Sequence, residues 1–183
     1  MKQILYTVFF LLCLSLSTFA AEENPLKKAK VGDWAKYDME IDMKDLSMNG
    51  KGTVTQTVIG KSDIAITLEI VIDLQISGIP ANKETTEQKI DLTKPFSPWD
   101  STEWFTEPID RKIKEVKSGN QKLVVAGKTF DCRYTEYECE EEEGEKTLVR
   151  LWTSSAEVFP LIKMSMTSGL DNVSVILNST GKK

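Results

Sequence analysis

The sequence predicts an all-β protein: a single curved antiparallel sheet, or open half-barrel, of about ten strands with little helix. Three observations predict it. One long segment alternates aliphatic and polar residues, turn-forming residues recur roughly every 8–12 positions, and apolar residues almost never follow the spacing of a helix. Short alternating segments separated by regular turns are typical of a β-sandwich or an open barrel.

The longest alternating segment covers residues 63–77, where large aliphatic residues stand at every second position. Side chains on a strand point alternately to its two faces, so these residues share one face. A fully extended segment of this length would span about 45 Å. Because ordinary strands are shorter, we expect this one to bend or to carry a bulge. The aliphatic residues are Ile64, Ile66, Leu68, Ile70, Ile72, Leu74 and Ile76.

The strands around this segment form a predicted meander. Residues 34–43 alternate between apolar and charged side chains, and Asn49-Gly50 is a tight-turn signal before the Thr/Val-rich strand 52–60. A second turn at residues 60–62 leads into the long strand, and residues 84–92 follow as a polar edge strand. Successive strands joined by short turns pair antiparallel.

Six further strands are predicted after an irregular segment at residues 93–105, where the prolines exclude a central strand. The acidic residues 140–143 and Gly144 form a predicted hairpin tip between two of these strands. The six predicted strands cover residues 109–116, 121–126, 129–140, 146–153, 161–166 and 173–177.

The chain begins with a segment typical of a secretory signal peptide. Lys2 precedes an apolar run at residues 4–16, and small residues stand before Ala21, so we expect cleavage after Ala20. A retained membrane anchor is the alternative, but the run is shorter than the roughly 20 apolar residues that a span needs. We expect no transmembrane segment in the mature chain, which would be periplasmic or extracellular. The predicted organisation is a signal peptide at 1–20, a loose leader at 21–30 and a single β domain at 31–183.

Composition argues against several classes of function. The chain carries 28 acidic and 23 basic side chains, a net charge of −5, so nucleic acid and anionic membrane surfaces are not expected partners. It has no histidine, which excludes Ser–His triads, histidine-based general catalysis and His-ligated zinc. We expect no catalytic residues, no cofactor and no metal site.

Two cysteines lie beyond the predicted signal peptide, Cys132 and Cys139. Seven positions apart in a predicted strand, they would point to opposite faces and lie roughly 23 Å from each other. A disulfide needs Cα atoms within about 7 Å, and no turn residue stands between the two. Although an exported protein meets oxidising conditions, we predict that these thiols do not form a mutual disulfide.

Three motifs suggest chemistry, and each has a simpler interpretation. Residues 126–129, Ala-Gly-Lys-Thr, resemble the end of a phosphate-binding loop, but Lys122 stands where the first glycine is needed and a strand follows in place of a helix. We predict a β-turn with Gly127 at positive φ. The acidic residues 138–143 lack the spaced ligands of a Ca²⁺ cage, and a solvated hairpin tip is predicted. No carboxylate pair has a spacing that singles it out for glycoside hydrolysis.

Aromatic residues on irregular segments are the feature of most functional interest. Phe96, Trp99, Trp104 and Phe105 lie between predicted strands, and Phe159 lies in a second such segment. Flat aromatic side chains at these places could form the mouth of an apolar cavity for a lipidic ligand. The alternative is that they close the open end of the sheet as ordinary core.

Several short motifs carry a resemblance to known proteins. Residues 31–37, VGDWAKY, look like the opening of many uncharacterised secreted bacterial proteins, and residues 125–132, 151–154 and 160–164 are similar to their second half. Such proteins resemble the periplasmic lipoprotein-carrier group. The resemblance implies a strongly curved antiparallel half-barrel with an apolar concave face, and it implies no catalytic residues.

We therefore predict a non-catalytic exported protein that binds an apolar or lipidic ligand, or the acyl chain of a lipoprotein, on the concave face of a curved sheet. A structural or protein-interaction module of the envelope with a fully packed core is the alternative, and a hydrolase is a third possibility that we do not favour. The predicted ligand-binding residues are the seven aliphatics of residues 64–76, with Phe96, Trp99, Trp104, Phe105 and Phe159 at the mouth.

Overall fold

The computed structural model describes residues 23–44, 47–97, 112–140 and 146–182, which form strands and a single short 3₁₀ helix at Pro25–Lys28. The strands are β1 (Asp33–Met43), β2 (Met48–Lys61), β3 (Ala65–Ile76), β4 (Asn82–Asp91), β5 (Lys112–Val125), β6 (Lys128–Glu140), β7 (Lys146–Thr153), β8 (Leu161–Ser168) and β9 (Asp171–Lys182). They make one antiparallel sheet in the order β4-β3-β2-β1-β9-β8-β7-β6-β5. Because the sheet is not closed into a barrel and ends at β4 and β5, the predicted all-β fold with an open sheet is confirmed.

The long alternating segment forms β3, and its aliphatic face turns toward the core. Three of its residues are 0–1% exposed: Ile66, Leu68 and Ile70. The next three on the same face are half-buried: Ile72, Leu74 and Ile76. Ile64 precedes the strand and is 64% exposed. The period-two pattern therefore identifies the strand and its buried face, while the first residue of the series lies outside it.

The Asn49-Gly50 pair does not form the predicted turn. Both residues lie inside β2, where Gly50 pairs with Ile41 of β1 and Ile76 of β3. β1 and β2 instead already pair at Met43 and Met48, and the Ser47 N–H donates to the Lys44 carbonyl at 3.1 Å. A Cβ at Gly50 would lie 3.0 Å from the Ile76 side chain, so the glycine permits close packing of β3 and not a reversal.

The strands predicted at residues 109–116 and 121–126 are a single strand among the described residues, β5. Residues 117–120 pair continuously with β6, and the register shifts once, between Glu115 and Lys117. An edge strand pairs on one side only, so it accepts glycine, polar residues and a bulge without losing its ladder. This difference explains why nine strands are described where about ten were predicted.

The C-terminal half of the sheet curls strongly enough for β5 to approach β9, although three strands separate them. The tip of the β5–β6 hairpin, residues 123–126, lines a small cavity together with Lys163 of β8 and Ile176 of β9. Leu161 and Ile162 are adjacent on β8 and both are 0% exposed. Adjacent strand residues point to opposite faces, so both faces of the sheet are covered at this point.

The β5–β6 turn settles the interpretation of the phosphate-loop motif. Val125 pairs with Lys128, and the two residues between them have positive φ, 49° at Ala126 and 76° at Gly127. This is the conformation of a two-residue hairpin turn. A strand follows it, so the predicted β-turn is confirmed and the motif presents no helix N-terminus to a phosphate.

The N-terminal residues are packed, and the prediction of a loose leader at residues 21–30 is wrong for the part that the structure describes. Asn24 caps the 3₁₀ helix by accepting from the Leu26 N–H at 3.1 Å, and Leu26 is 1% exposed. The Lys61 ammonium donates to the carbonyls of Lys27 and Ala29 at 2.6 and 2.7 Å. A charged sequence therefore becomes ordered because a distant lysine satisfies its carbonyl groups.

We predict that Tyr37→Phe stabilises the protein. Tyr37 is 0% exposed on β1, and its hydroxyl has no hydrogen-bond partner among the described residues. Burial also raises the pKa of this phenol, which keeps it neutral. Because an unsatisfied buried hydroxyl destabilises the folded state, its removal should raise the free energy of unfolding by about 1 kcal/mol in urea denaturation.

Tyr134→Phe is the matched control for this measurement. The Tyr134 hydroxyl donates to Glu136 at 2.6 Å, so its removal should lower the free energy of unfolding. A loss of stability in Tyr37→Phe similar to that in the control would contradict our description of the Tyr37 hydroxyl.

Candidate functional site

A cavity of about 760 Å³ is lined by β5, which is one edge strand of the sheet, and by the segment that follows β4, the other edge strand. This segment contributes Pro95 and Phe96, and β6 adds further lining residues beside β5. The N-terminal segment contributes Pro25, and the segment between β7 and β8 contributes Pro160. The curl of the sheet thus places residues that are far apart in sequence around one space.

One wall of the cavity is apolar, and hydrogen bonds hold its parts together. Pro25, Pro95 and Phe96 form this wall. Pro160 also lines the cavity but lies beside Thr153, because the Ser154 N–H donates to the Pro160 carbonyl at 2.8 Å. Phe96 also packs on the core. The Asn24 amide donates to the Lys94 carbonyl at 3.4 Å, which joins the N-terminal segment to the residues just before Pro95. Prolines have fixed φ and no N–H, so this wall is stiff and offers few polar groups.

The facing wall is polar, and strand register determines its arrangement. Asn120 of β5 pairs with Arg133 of β6, and Arg133 pairs with Thr153 of β7. The three residues form one row across three strands, and all three line the cavity. The next row holds Lys122 and Asp131, whose charged groups lie 3.8 Å apart with side chains 78% and 85% exposed. Such an exposed pair is screened and weak.

The opposite face of β6 and β7 carries a polar and aromatic cluster that joins the same strands. The Tyr134 and Trp152 ring centroids lie 5.1 Å apart, and the Trp152 indole N–H donates to Gln121 of β5 at 2.9 Å. Glu136 accepts from the Tyr134 hydroxyl at 2.6 Å and from Arg150 at 2.7 Å. These cross-strand contacts hold β5, β6 and β7 in the register that the polar wall needs.

The predicted site residues are only partly brought together. Phe96 lines the large cavity, whereas Phe159 is 3% exposed and borders a separate space of about 150 Å³ beside Trp34. Trp99, Trp104 and Phe105 lie outside the described residues. The β3 aliphatics form core at their buried end, and their role in binding a ligand stays a prediction.

The polar wall was absent from the sequence prediction. Arg133, Asn120 and Thr153 come from three strands, and no motif joins them in the sequence. The only available signal was that residues 121–126 and 129–140 were predicted as neighbouring strands. A correct register for that pair would have placed Asn120 opposite Arg133.

Both cysteines described by the structure are buried, and they are not bonded to each other. Cys132 and Cys139 are 3% and 2% exposed and form no disulfide, which confirms the prediction that they do not bridge. Burial, followed by the charge of Asp131, raises the pKa of the Cys132 thiol. The thiol is therefore kept protonated and weakly nucleophilic, although its residue borders the cavity.

The described part of the chain has neither a cluster of metal-ligating side chains nor a helix that could span a membrane. No group of three or more Cys, Asp or Glu residues there is arranged to hold a metal ion. In residues 23–44, 47–97, 112–140 and 146–182, none of the helical structure has the length and apolar content needed to cross a bilayer. Residues 141–143 of the acidic hairpin tip lie outside the described residues.

Comparison with known proteins gives similarity at the level of the fold. No protein-family model matches the chain, and no curated protein matches it. A candidate exported protein with a YmcC-like fold from Bacteroides fragilis NCTC 9343 aligns over 84% of this chain and 97% of its own, with 7% identity and a TM-score of 0.51. A DUF1329 family protein from Desulfovibrio piger ATCC 29098 aligns over 89% and 90%, with 10% identity and a TM-score of 0.30. The first of these shares the fold, and the resemblance to the lipoprotein-carrier group stays a prediction.

We predict that both thiols are protected from modification in the folded protein. Protein lacking residues 1–20 should react with a thiol-specific chromogenic reagent at least roughly tenfold more slowly when folded than in denaturant, because reaction requires local opening. Denatured protein should release two equivalents without prior reduction. Rapid native reaction of either cysteine, or fewer than two equivalents before reduction, would contradict the structure.

We predict a pH-dependent contribution from Glu136. Its hydrogen bond from Tyr134, and then that from Arg150, hold the pKa of this carboxyl below its ordinary value. A group with a lowered folded pKa stabilises the protein above its unfolded pKa, about 4.3, and this stabilisation is lost as pH falls through the folded pKa. Glu136→Gln should therefore lower the free energy of unfolding by about 0.5–1 kcal/mol at pH 7 and by less at pH 3.

The control for this prediction is Glu40→Gln. Glu40 pairs with Lys51 at 3.3 Å with both side chains largely exposed, so its removal should change stability little at either pH. Equal effects of Glu136→Gln at pH 7 and pH 3 would show that the carboxylate charge is not the source of the stabilisation.

Proposed function

We propose that this chain is an exported, non-catalytic protein that binds an amphiphilic ligand, such as a lipid or the acyl chain of a lipoprotein, in the cavity lined by β5, β6 and the segment that follows β4. The observation that carries the proposal is the division of the cavity into an apolar wall and a polar wall. Its volume of about 760 Å³ lies within the range of roughly 300–1,000 Å³ that is usual for small-molecule sites.

The apolar wall suits a hydrocarbon chain. Phe96, flanked by proline on the same wall, offers a flat apolar surface with few hydrogen-bonding groups. The polar wall suits the other end of the ligand, because the row from Asn120 to Thr153 supplies an amide, a guanidinium and a hydroxyl. A ligand with one apolar part and one polar part would satisfy both walls at once.

Export is supported by the first twenty residues, which read as a signal peptide. The Bacteroides fragilis protein that shares the fold is described as a candidate exported protein. A non-catalytic role fits the residues of the cavity, since the row across β5, β6 and β7 holds no nucleophile paired with a base.

A second candidate function follows from the burial of β3. Ile66, Leu68 and Ile70 are 0–1% exposed, as expected for an envelope interaction module whose concave face is completely packed. On that account the cavity would hold only water, and the outer surface would carry the function. Ligand binding in the cavity distinguishes the two candidates.

The test is titration of purified protein with a fluorescent fatty-acid probe. We predict saturable binding with one site, weakened at least tenfold by Phe96→Ser, because a buried phenylalanine side chain contributes roughly 1.5–3 kcal/mol. Pro95→Glu places a charge on the same wall at an exposed position, and should weaken binding without disturbing the core. Both variants should keep the far-ultraviolet circular dichroism of the parent protein.

The matched control is Ile79→Ser, which removes an apolar side chain that is 48% exposed in the turn between β3 and β4. This variant should bind the probe like the parent protein. If the parent protein binds no probe, or if all three variants bind as well as the parent, the proposed function is contradicted and the interaction module becomes the favoured account.

A further inference from the structure

We infer that the cavity selects ligands with an anionic head, a carboxylate or a phosphate, and that Arg133 binds this head with Asn120 and Thr153 on either side. This inference rests on the proposed function and assigns the chemical class of the ligand. It also gives the polar wall a role in binding, which burial of a hydrocarbon chain alone would not need.

The position of Arg133 is fixed by pairing on both sides. Its strand, β6, lies between β5 and β7, and residues directly opposite on antiparallel strands have their Cβ atoms about 5 Å apart. Asn120 and Thr153 are the residues opposite it. An amide N–H₂ and a hydroxyl can therefore donate to the same oxygen atoms as the guanidinium. This is a row of three donors on one wall of a cavity.

Guanidinium chemistry favours an oxyanion as the occupant. The five N–H donors of arginine form a planar fork that matches a carboxylate or a phosphate with two parallel hydrogen bonds. A neutral hydroxyl or ester head cannot accept both bonds with charge assistance. The cavity should therefore discriminate by the charge of the head and not only by the length of the chain.

Arg133 is available to bind a ligand, because the described acidic residues of the lining pair with other cations. In the part of the chain that the structure describes, four charged residues border the space: Glu23, Lys122, Asp131 and Arg133. Lys122 lies 3.8 Å from Asp131, and Glu23 lies 3.6 Å from Lys27. Among the described residues, no carboxylate lies within 4.0 Å of the Arg133 guanidinium. Both described acids of the lining thus have a cation beside them, while no described carboxylate pairs with Arg133.

The apolar wall provides the surface that the hydrocarbon chain of such a ligand needs. Pro25, Pro95 and Phe96 line the same cavity as the polar row, so a ligand whose head is bound at Arg133 can place its chain against them. A long-chain fatty acid or a lipid phosphate has this division of chemistry. A cationic amphiphile would place like charge beside Arg133, and a fully apolar ligand would leave the three donors without partners.

The test compares ligands that share a chain and differ in the head. Palmitate and hexadecanol form one pair, and lysophosphatidate and monoacylglycerol with the same chain form the second. Displacement of the fluorescent probe from the parent protein should favour each anionic ligand over its neutral partner by at least roughly tenfold. Preference in the first pair alone assigns a carboxylate head, and preference in the second alone assigns a phosphate. Either result supports the inference.

Arg133→Gln should remove this preference while retaining the affinity for hexadecanol, and Arg133→Lys should restore it only in part because a lysine lacks the fork. Lys51→Gln is the control, since it removes one positive charge from an exposed side chain away from the cavity. It should keep the full preference. Arg133 is itself exposed, so all three variants should melt at the temperature of the parent protein.

The outcomes distinguish failure of the anionic-head inference from failure of the proposed function. Equal binding of anionic and neutral ligands by the parent protein, or a preference that survives in Arg133→Gln, overturns the anionic-head inference and leaves the proposed function intact. Absence of binding by every ligand and by the probe overturns the proposed function, and the inference with it.

Discussion

A single β-sheet without a second layer can bury an apolar face only by curling around it, and the rest of this structure depends on that constraint. The nine described strands belong to one sheet, yet residues of β1, β3 and β8 are completely buried. The curl is strong enough to bring β5 to β9. In the other half of the sheet, a glycine lets β2 lie close to β3, since a Cβ at Gly52 would lie 2.4 Å from the Asp73 carbonyl oxygen. The cavity lies where β5 and β6 meet the segment that follows the other edge strand, β4.

In this geometry, the residues that pack the core differ from the residues that line the cavity. The most regular apolar residues, those of β3, are used to fill the concave face, where Ile66 and Ile70 are 0% exposed. The residues around the cavity come from strands at or near an edge and from connecting segments, which are polar or rich in proline. A site formed there has both apolar and polar groups, and this is why we propose an amphiphile as its ligand and not a purely apolar molecule. The outer cluster around Glu136 contributes by fixing the register of the strands that carry the polar wall.

Much of the fold could be predicted because period-two patterns report directly on which face of a strand is buried. The pattern identified β3, the polar edge strand β4 and the turn at Gly127. It failed at Asn49-Gly50, because a glycine required by a close neighbour looks the same in sequence as a glycine required by a turn. It failed again at residues 23–30, whose order comes from Lys61 on another strand.

The candidate site was less predictable for a related reason. Phe96 could be chosen from its aromatic character and its place between strands. The row formed by Asn120, Arg133 and Thr153 depends on register across three strands, and register is a property of pairs that no single strand pattern contains. Of the proposed site, the sequence therefore predicted one residue of the apolar wall and none of the polar wall.

The most direct test of the central claim, that this cavity holds the ligand, is a crystal structure with a fatty acid brominated in mid-chain. The anomalous signal of bromine locates the chain independently of the protein density. The account predicts bromine against Phe96 and the prolines, with the carboxylate beside Arg133. Bromine among Ile66, Leu68 and Ile70, or on the outer face beside Trp152, would contradict it.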